Sequence, residues 1–201
     1  MTETSVATPR MSNVDRRESI LRAATAVFGA RGYAGATTDD VAKAAEVSQP
    51  YVVRLFGSKQ QLFLAVLERA VARLSAGFRS AIDGTDEERG DRMGRAYVEL
   101  VAERGLLQVI SSAFLLGGDP VIGPVARRLF SGVWQLLREE AGFAPEQARD
   151  FMANGMLINT IVGLRMMNDE GDPSADELFA VCLPESADLL ISSIPRTTDD
   201  W

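Results

Sequence analysis

Apolar residues recur at helical spacing along most of this chain, but between residues 37 and 63 the pattern is cut into short pieces. Val41, Ala42 and Ala45 form a narrow stripe of small residues that lets another helix approach closely. Ahead of them, the hydroxyls of Thr37 and Thr38 can accept free backbone N–H groups. Asp39 and Asp40 add negative charge where the helix dipole favours it, so a helix starts near Thr38. The stripe stops at Ala45, Glu46 and Val47 form a turn, and Ser48 followed by Pro50 opens a second helix over about 49 to 56. At ~100° per residue, Val52, Leu55 and Phe56 share its inner side, while Pro50, Tyr51, Val53 and Arg54 point outward. Gly57 closes this helix and Ser58 caps a third. Lys59 stands in the third helix's first turn, where it and the free N–H groups could hold a phosphate. Two short helices joined by a tight turn predict a unit that places its second helix in a DNA major groove.

Flanking segments extend the helical reading. Ser12 and Asp15 have capping-box spacing, and Ile20, Leu21, Ala24, Val27 and Phe28 recur helically up to Gly32, a stop signal. From 58 to 82 a long helix turns Leu62, Phe63, Val66, Leu67, Ala70 and Leu74 inward, and at ~1.5 Å per residue it can link two domains rigidly. After a break at Asp83 to Asp86, helical patterns cover about 86–104, 106–116, 120–141, 145–167 and 174–193, separated by Gly- and Pro-containing segments. Pro184 falls inside the last pattern and either kinks it or starts a new helix. The fold class is all-α. Residues 1–11 form a polar tail, 12–57 a three-helix head, 58–82 the connecting helix and 83–201 a larger helical body.

Composition narrows the function. A chain of 201 residues with 46% hydrophobic content folds around a substantial core. No apolar run approaches ~20 residues and no charged start precedes a hydrophobic block, so no membrane partner is implied and the cytoplasm is the expected location. Cys182 has no second cysteine to pair with, and the absence of histidine excludes the usual zinc sites and histidine-based catalysis. There is no Gly-x-Ser-x-Gly elbow, phosphate-binding glycine loop or paired metal-ligand spacing, so an enzyme is not expected and no cofactor is implied. The net charge of -7 opposes DNA binding until it is divided. Residues 1–70 hold nine Lys or Arg against seven Asp or Glu, a net of +2, and the remainder holds twelve against twenty-one, a net of -9. The head and the body therefore suit different partners.

Phe28, Gly32-Tyr33, Thr37-Thr38, Val41-Ala42, Val47-Ser48, Phe56, Lys59 and Leu62-Phe63 together resemble the motif of the TetR family of transcriptional regulators over roughly residues 14 to 63. Three positions depart from it. Glu46 replaces the usual turn glycine, so either the turn differs or a non-glycine residue adopts positive φ at ~1 kcal/mol or more. Val53 replaces a common tyrosine, and Tyr51 stands where Thr or Ser is frequent. The resemblance implies a sequence-specific repressor that binds double-stranded DNA through Thr38, Gln49, Pro50, Tyr51, Arg54 and Lys59. It also implies a homodimer whose recognition helices, ~34 Å apart, read a near-palindromic operator. The segment from Phe151 to Leu164 is apolar nearly all round, and by resemblance it and the final helix form the dimer interface; the other reading is a monomer core helix.

An effector cavity among the middle helices is implied in the same way, with Met93, Tyr97, Phe114, Trp134, Met152 and Met156 as adaptable apolar candidates for its walls. Tyr97, Gln108, Asn154 and Asn159 would orient a small hydrophobic guest. Regulation would shift the spacing of the two heads through the long helix. The alternative is a helical protein–protein interaction module without DNA binding, which the acidic total charge permits.

Overall fold

The computed structural model describes residues 12–83, 85–166 and 172–182. The N-terminal tail, Pro184 and the expected helix beyond Cys182 lie outside the described residues. Those residues form nine α-helices: α1 (Asn13–Gly35), α2 (Thr38–Ala44), α3 (Gln49–Phe56), α4 (Lys59–Ala81), α5 (Asp86–Glu99), α6 (Leu106–Leu115), α7 (Ile122–Gln135), α8 (Pro145–Leu164) and α9 (Pro173–Cys182). No strand occurs among them.

Local chemistry sets the head. Ser12, Thr37 and Ser58 each cap a helix reciprocally: the hydroxyl accepts the N–H three residues on, and that residue's side chain reaches back to the cap's N–H. The cap of α2 is thus Thr37, and Thr38, expected as a possible cap, is the first residue of the helix. Gly32 does interrupt α1, with φ 67, but the chain resumes a further helical turn to Gly35. Glu46 adopts φ 53, which settles the turn: it keeps the sharp geometry usual for glycine and carries the strain of a side chain there.

In α4, Leu62, Phe63, Val66, Leu67, Ala70, Val71, Leu74 and Phe78 are all buried. Burying each large apolar side chain contributes about 1.5–3 kcal/mol, so this face holds the helix in place far more than its propensity does. Leu62 and Phe63 belong to the head, where Phe63 meets Phe28 edge-on at 5.1 Å and Tyr33 at 5.0 Å between ring centroids. Phe78, nearer the other end of the helix, packs against Tyr97 and Phe151 of the body at 6.2 and 5.3 Å. One continuous core therefore runs from Ile20 to Val162, and a small second cluster of Ile161, Ala175 and Phe179 joins α8 to α9.

Head and body also meet where α1 passes the start of α6. A Cβ on Gly29 would overlap the backbone of Gly105, and a Cβ on Gly105, whose φ is 80, would overlap the Thr25 carbonyl. Beside this contact Arg69 of α4 pairs with Glu18 of α1 at 2.6 Å and with Glu103. Two body helices end differently from the periodicity. The stretch expected as 86–104 breaks at Glu99 into a 3₁₀ turn over Leu100–Ala102. The stretch expected as 120–141 is α-helical from Ile122 to Gln135, then widens into a π turn at Leu136–Glu140 that buries both Leu136 and Leu137.

Candidate nucleic-acid interface and cavity

The turn between α2 and α3 is closed by backbone bonds from Ala45 to Val41 (2.9 Å), Glu46 to Lys43 (3.2 Å) and Val47 to Ala42 (3.0 Å). Ser48 has the extended backbone of a cap but its hydroxyl caps nothing, so Pro50 and the packing of Val52 hold the start of α3. Val52 is buried completely and Phe56, one turn later, is half-buried. Leu55, expected inside with them, is exposed. In so short a helix Val52, Phe56 and part of Tyr51, expected wholly outward, meet the core, and no described element covers Leu55. Pro50, Val53, Leu55 and Arg54 therefore form an outward face, with Tyr51 half-buried at its edge.

Within that face the Arg54 guanidinium lies 5.0 Å over the Tyr51 ring, which orients both side chains. The Gln49 amide donates to Thr38 Oγ1 at 3.3 Å, joining two of the candidate base readers across the turn. Lys59 is placed apart from these. Its ammonium donates to the Ala34 and Ala36 carbonyls at 3.2 and 3.0 Å and lies 4.8 Å over Tyr33, so two of its three donors close the end of α1. Sequence reasoning passes over Arg17, whose guanidinium sits 5.1 Å over the Phe56 ring. No periodicity marks it, because the contact joins residues far apart in the chain.

Both acids of the first turn of α2 are paired with cations of the head. Asp39 pairs with Lys43 at 2.7 Å and Asp40 with Arg31 at 2.7 Å. The Thr37 hydroxyl, with Arg31 helping, holds the Asp40 carboxyl below the usual range. The two acids of the first turn of α2 are thus neutralised beside the face of α3.

The body holds a half-open cavity of about 90 Å³ between α4, α5, α6, α7 and α8. Of the wall residues expected from sequence, Tyr97, Phe114, Met152 and Met156 line it, together with Asn154 and Asn159. Met93 and Trp134 do not: Met93 is sealed in the core and Trp134 packs half-buried against it. Gln108 is half-buried and also stands outside the lining. Phe78, Phe130 and Phe151 complete the aromatic wall. Phe78 is legible as the continuation of the inward pattern of α4, and Leu129, Phe130 and Val133 as one stripe of α7. The Tyr97 hydroxyl donates toward Asn159 Oδ1 at 2.7 Å and the Gly155 carbonyl at 2.9 Å, tying α5 to α8. Burial drives the Tyr97 phenol far above its ordinary pKa, so it stays a neutral donor.

A short helix that exposes one face of a three-helix head, carried on a helical body with its own cavity, defines an all-α helix-turn-helix protein. Residues 20–66 match the family described as bacterial regulatory proteins, tetR family. The transcriptional activator FasR of Mycolicibacterium smegmatis is 42% identical over 80 residues, 40% of this chain and 36% of that protein. The transcriptional regulator EthR of the same species is 31% identical over 87 residues, covering 42% of this chain and 40% of that one. The matched region spans less than half the length of these relatives. Over the whole fold, a TetR family member from Streptomyces coelicolor A3 shares 27% identity with a TM-score of 0.59, covering 90% of this chain and 99% of that one. Residues 20–66 are thus a tetR-family helix-turn-helix region, and the fold of the chain is that of TetR-like regulators.

Proposed function

We propose that this protein is a sequence-specific DNA-binding regulator that engages a near-palindromic operator as a homodimer and is controlled by a small hydrophobic effector. The observation that carries the reading is the uncovered face of α3, with Tyr51 and Arg54 stacked on a helix too short to have a buried second side. Gln49, Thr38 and Pro50 stand on the same edge and supply polar and apolar contacts to bases, while Arg54 and the third donor of Lys59 reach phosphates. A net charge of only +2 in residues 1–70 gives modest nonspecific attraction, so useful affinity comes from two heads on one duplex. The dimer reading is supported by α8 and α9, which leave Leu157, Leu164 and Val181 exposed.

Control would run through α4, because one rod supplies Leu62 and Phe63 to the head and Leu67, Val71, Leu74 and Phe78 to the cavity wall. Repression is the simplest outcome of a dimer occupying a promoter, while FasR is named an activator, so a promoter–reporter assay reads the sign. No helix among the described residues is long and apolar enough to cross a membrane, which suits a protein working beside DNA in the cytoplasm.

The test is a gel shift and footprint on DNA flanking the chain's own coding region. A protected palindrome is expected, and unchanged mobility at low salt with varied DNA would favour the protein-interaction alternative. Tyr51→Ala should relax discrimination about tenfold at particular bases, whereas Lys59→Ala should weaken all sequences alike and flatten the salt dependence. Equal salt slopes for the wild type and Lys59→Ala would remove the phosphate role of that lysine.

A further inference from the structure

None of the residues lining the body's cavity carries a formal charge: the wall combines aromatic and aliphatic side chains with glycines, two asparagines and the neutral Tyr97. An ion entering it would lose its hydration with no partner of opposite sign, and that cost is far larger than for a neutral polar group able to find one hydrogen bond. The polar atoms cluster on α8, where Asn159 already accepts from Tyr97 and Asn154 is partly open to solvent. On the opposite side Phe114 of α6 and Phe130 of α7 meet edge-on at 5.7 Å, each lining the cavity and each about 40% exposed. They are the only pair of rings among the described contacts that faces the cavity and solvent together.

Size adds a second constraint. The space, about 90 Å³ and half open to solvent, is below the ~150 Å³ of an apolar cavity known to hold benzene. A ring-sized guest therefore fills it only as the walls shift, and the Phe114–Phe130 pair stands where the lining reaches solvent. Resting on the reading of this cavity as the effector site, we infer that the effector is an uncharged, ring-sized molecule with at most one hydrogen-bonding group. It is admitted between α6 and α7 by separation of Phe114 and Phe130 and oriented by Asn154 and Asn159. Carboxylates and amines of the same shape are excluded.

Four probes of one shape test this on the full chain at neutral pH: toluene, phenol, benzoate and benzylamine, followed by thermal shift and by titration calorimetry. A filling variant locates the binding. Gly94 lines the cavity and a Cβ there meets nothing within 4 Å, so Gly94→Leu should occupy the space while favouring helix α5. Toluene and phenol should raise the melting temperature of the wild type, phenol more, with neither effect surviving in Gly94→Leu. Benzoate and benzylamine should bind at least about tenfold more weakly. Charged probes that bind as well as phenol, and are lost in Gly94→Leu, would overturn the neutral-guest inference and leave the cavity as an effector site. Four silent probes, or binding that persists in Gly94→Leu, would remove both. Phe114→Ala with Phe130→Ala should speed phenol association severalfold at unchanged selectivity; an unaltered rate would refute the entry route.

Discussion

The two ends of the molecule stop and start their helices in different ways. In the head, α1, α2 and α4 each begin with a hydroxyl-bearing cap answered by a side chain three residues later. In the body, α5 and α6 begin without a side-chain cap, and α7 borrows its cap from Asp119, whose carboxylate accepts the N–H groups of Val121 and Ile122 at 2.8 Å each. α8 and α9 also receive one-sided local bonds: the Ala144 N–H donates to the Gln147 side chain at 2.8 Å and the Ser174 N–H to the Asp172 carboxylate at 2.9 Å. Among the described residues, reciprocal hydroxyl caps therefore start only α1, α2 and α4, whereas α3 and the body helices start uncapped or with one-sided bonds. α4 spans both regimes, capped locally at Ser58 and buried along the body.

The largest expected effect comes from breaking the seam between these regions. Gly105→Val puts a branched side chain at φ 80 and onto the Thr25 carbonyl, so α1 and α6 must separate. A loss of about 3 kcal/mol or more follows, roughly 6–12 °C in melting temperature for a chain of this length. Unfolding followed by a head-specific probe should then separate from the global transition. Coincident transitions at the wild-type temperature would show that the seam is dispensable. Next in size is Arg69→Ala, which removes the cation shared by Glu18 and Glu103 and leaves Glu103, 16% exposed, with only Arg73. About 2 kcal/mol is expected, below the full cost of breaking a buried pair because Glu18 is half in solvent. The hydrogen bond from Arg69, opposed in part by desolvation, lowers the Glu18 pKa. A carboxylate whose folded pKa is depressed stabilises the protein above its unfolded pKa, and that contribution is lost as pH falls through the folded value. Stability of the wild type should thus fall below about pH 4.5 more steeply than that of Arg69→Ala.

What is legible in the chain follows the same division. Thr37, Ser58, Gly57 and the stripe from Leu62 to Leu74 predict the head and the connecting helix within a few residues, because caps and periodicity are local. Leu55 defeats the helical wheel, which assigns sides without knowing which are covered. Lys59 gives no sign that it closes the end of α1, since Ala34 and Ala36 offer it carbonyls that any residue type carries. In the body, residue type alone finds Tyr97, Phe114, Met152 and Met156, yet Met93 has the same type and is sealed in the core. Nothing in a single sequence separates a methionine that faces a void from one that faces another side chain.

Tyr97→Phe probes the body alone. It deletes the link from α5 to Asn159 and the Gly155 carbonyl, at about 1–1.5 kcal/mol. Since the folded phenol titrates well above the unfolded one, stability is complete below about pH 10 and falls as pH rises beyond it, by up to ~1.4 kcal/mol per unit from this group. The Phe variant should lose that part of the alkaline slope; an identical slope would mean the hydroxyl is not buried in solution.

The smallest effect should come from the head, and its smallness tests the contrast. Thr37→Ala removes the hydroxyl that accepts the Asp40 N–H at 3.1 Å and donates to the Asp40 carboxylate at 2.6 Å. A lost cap costs about 1 kcal/mol. The change reaches further than its energy, because Asp40 loses the main partner that lowers its pKa and holds it beside Arg31, and the start of α2 carries Thr38, which holds Gln49. If the head is locally determined, Thr37→Ala should lower DNA affinity severalfold with the cavity's response to phenol unchanged, measured by gel shift and thermal shift on the same preparation. A matching loss in phenol binding would mean that helix ends in the head and packing in the body form one cooperative unit, and the division drawn from their caps would fail.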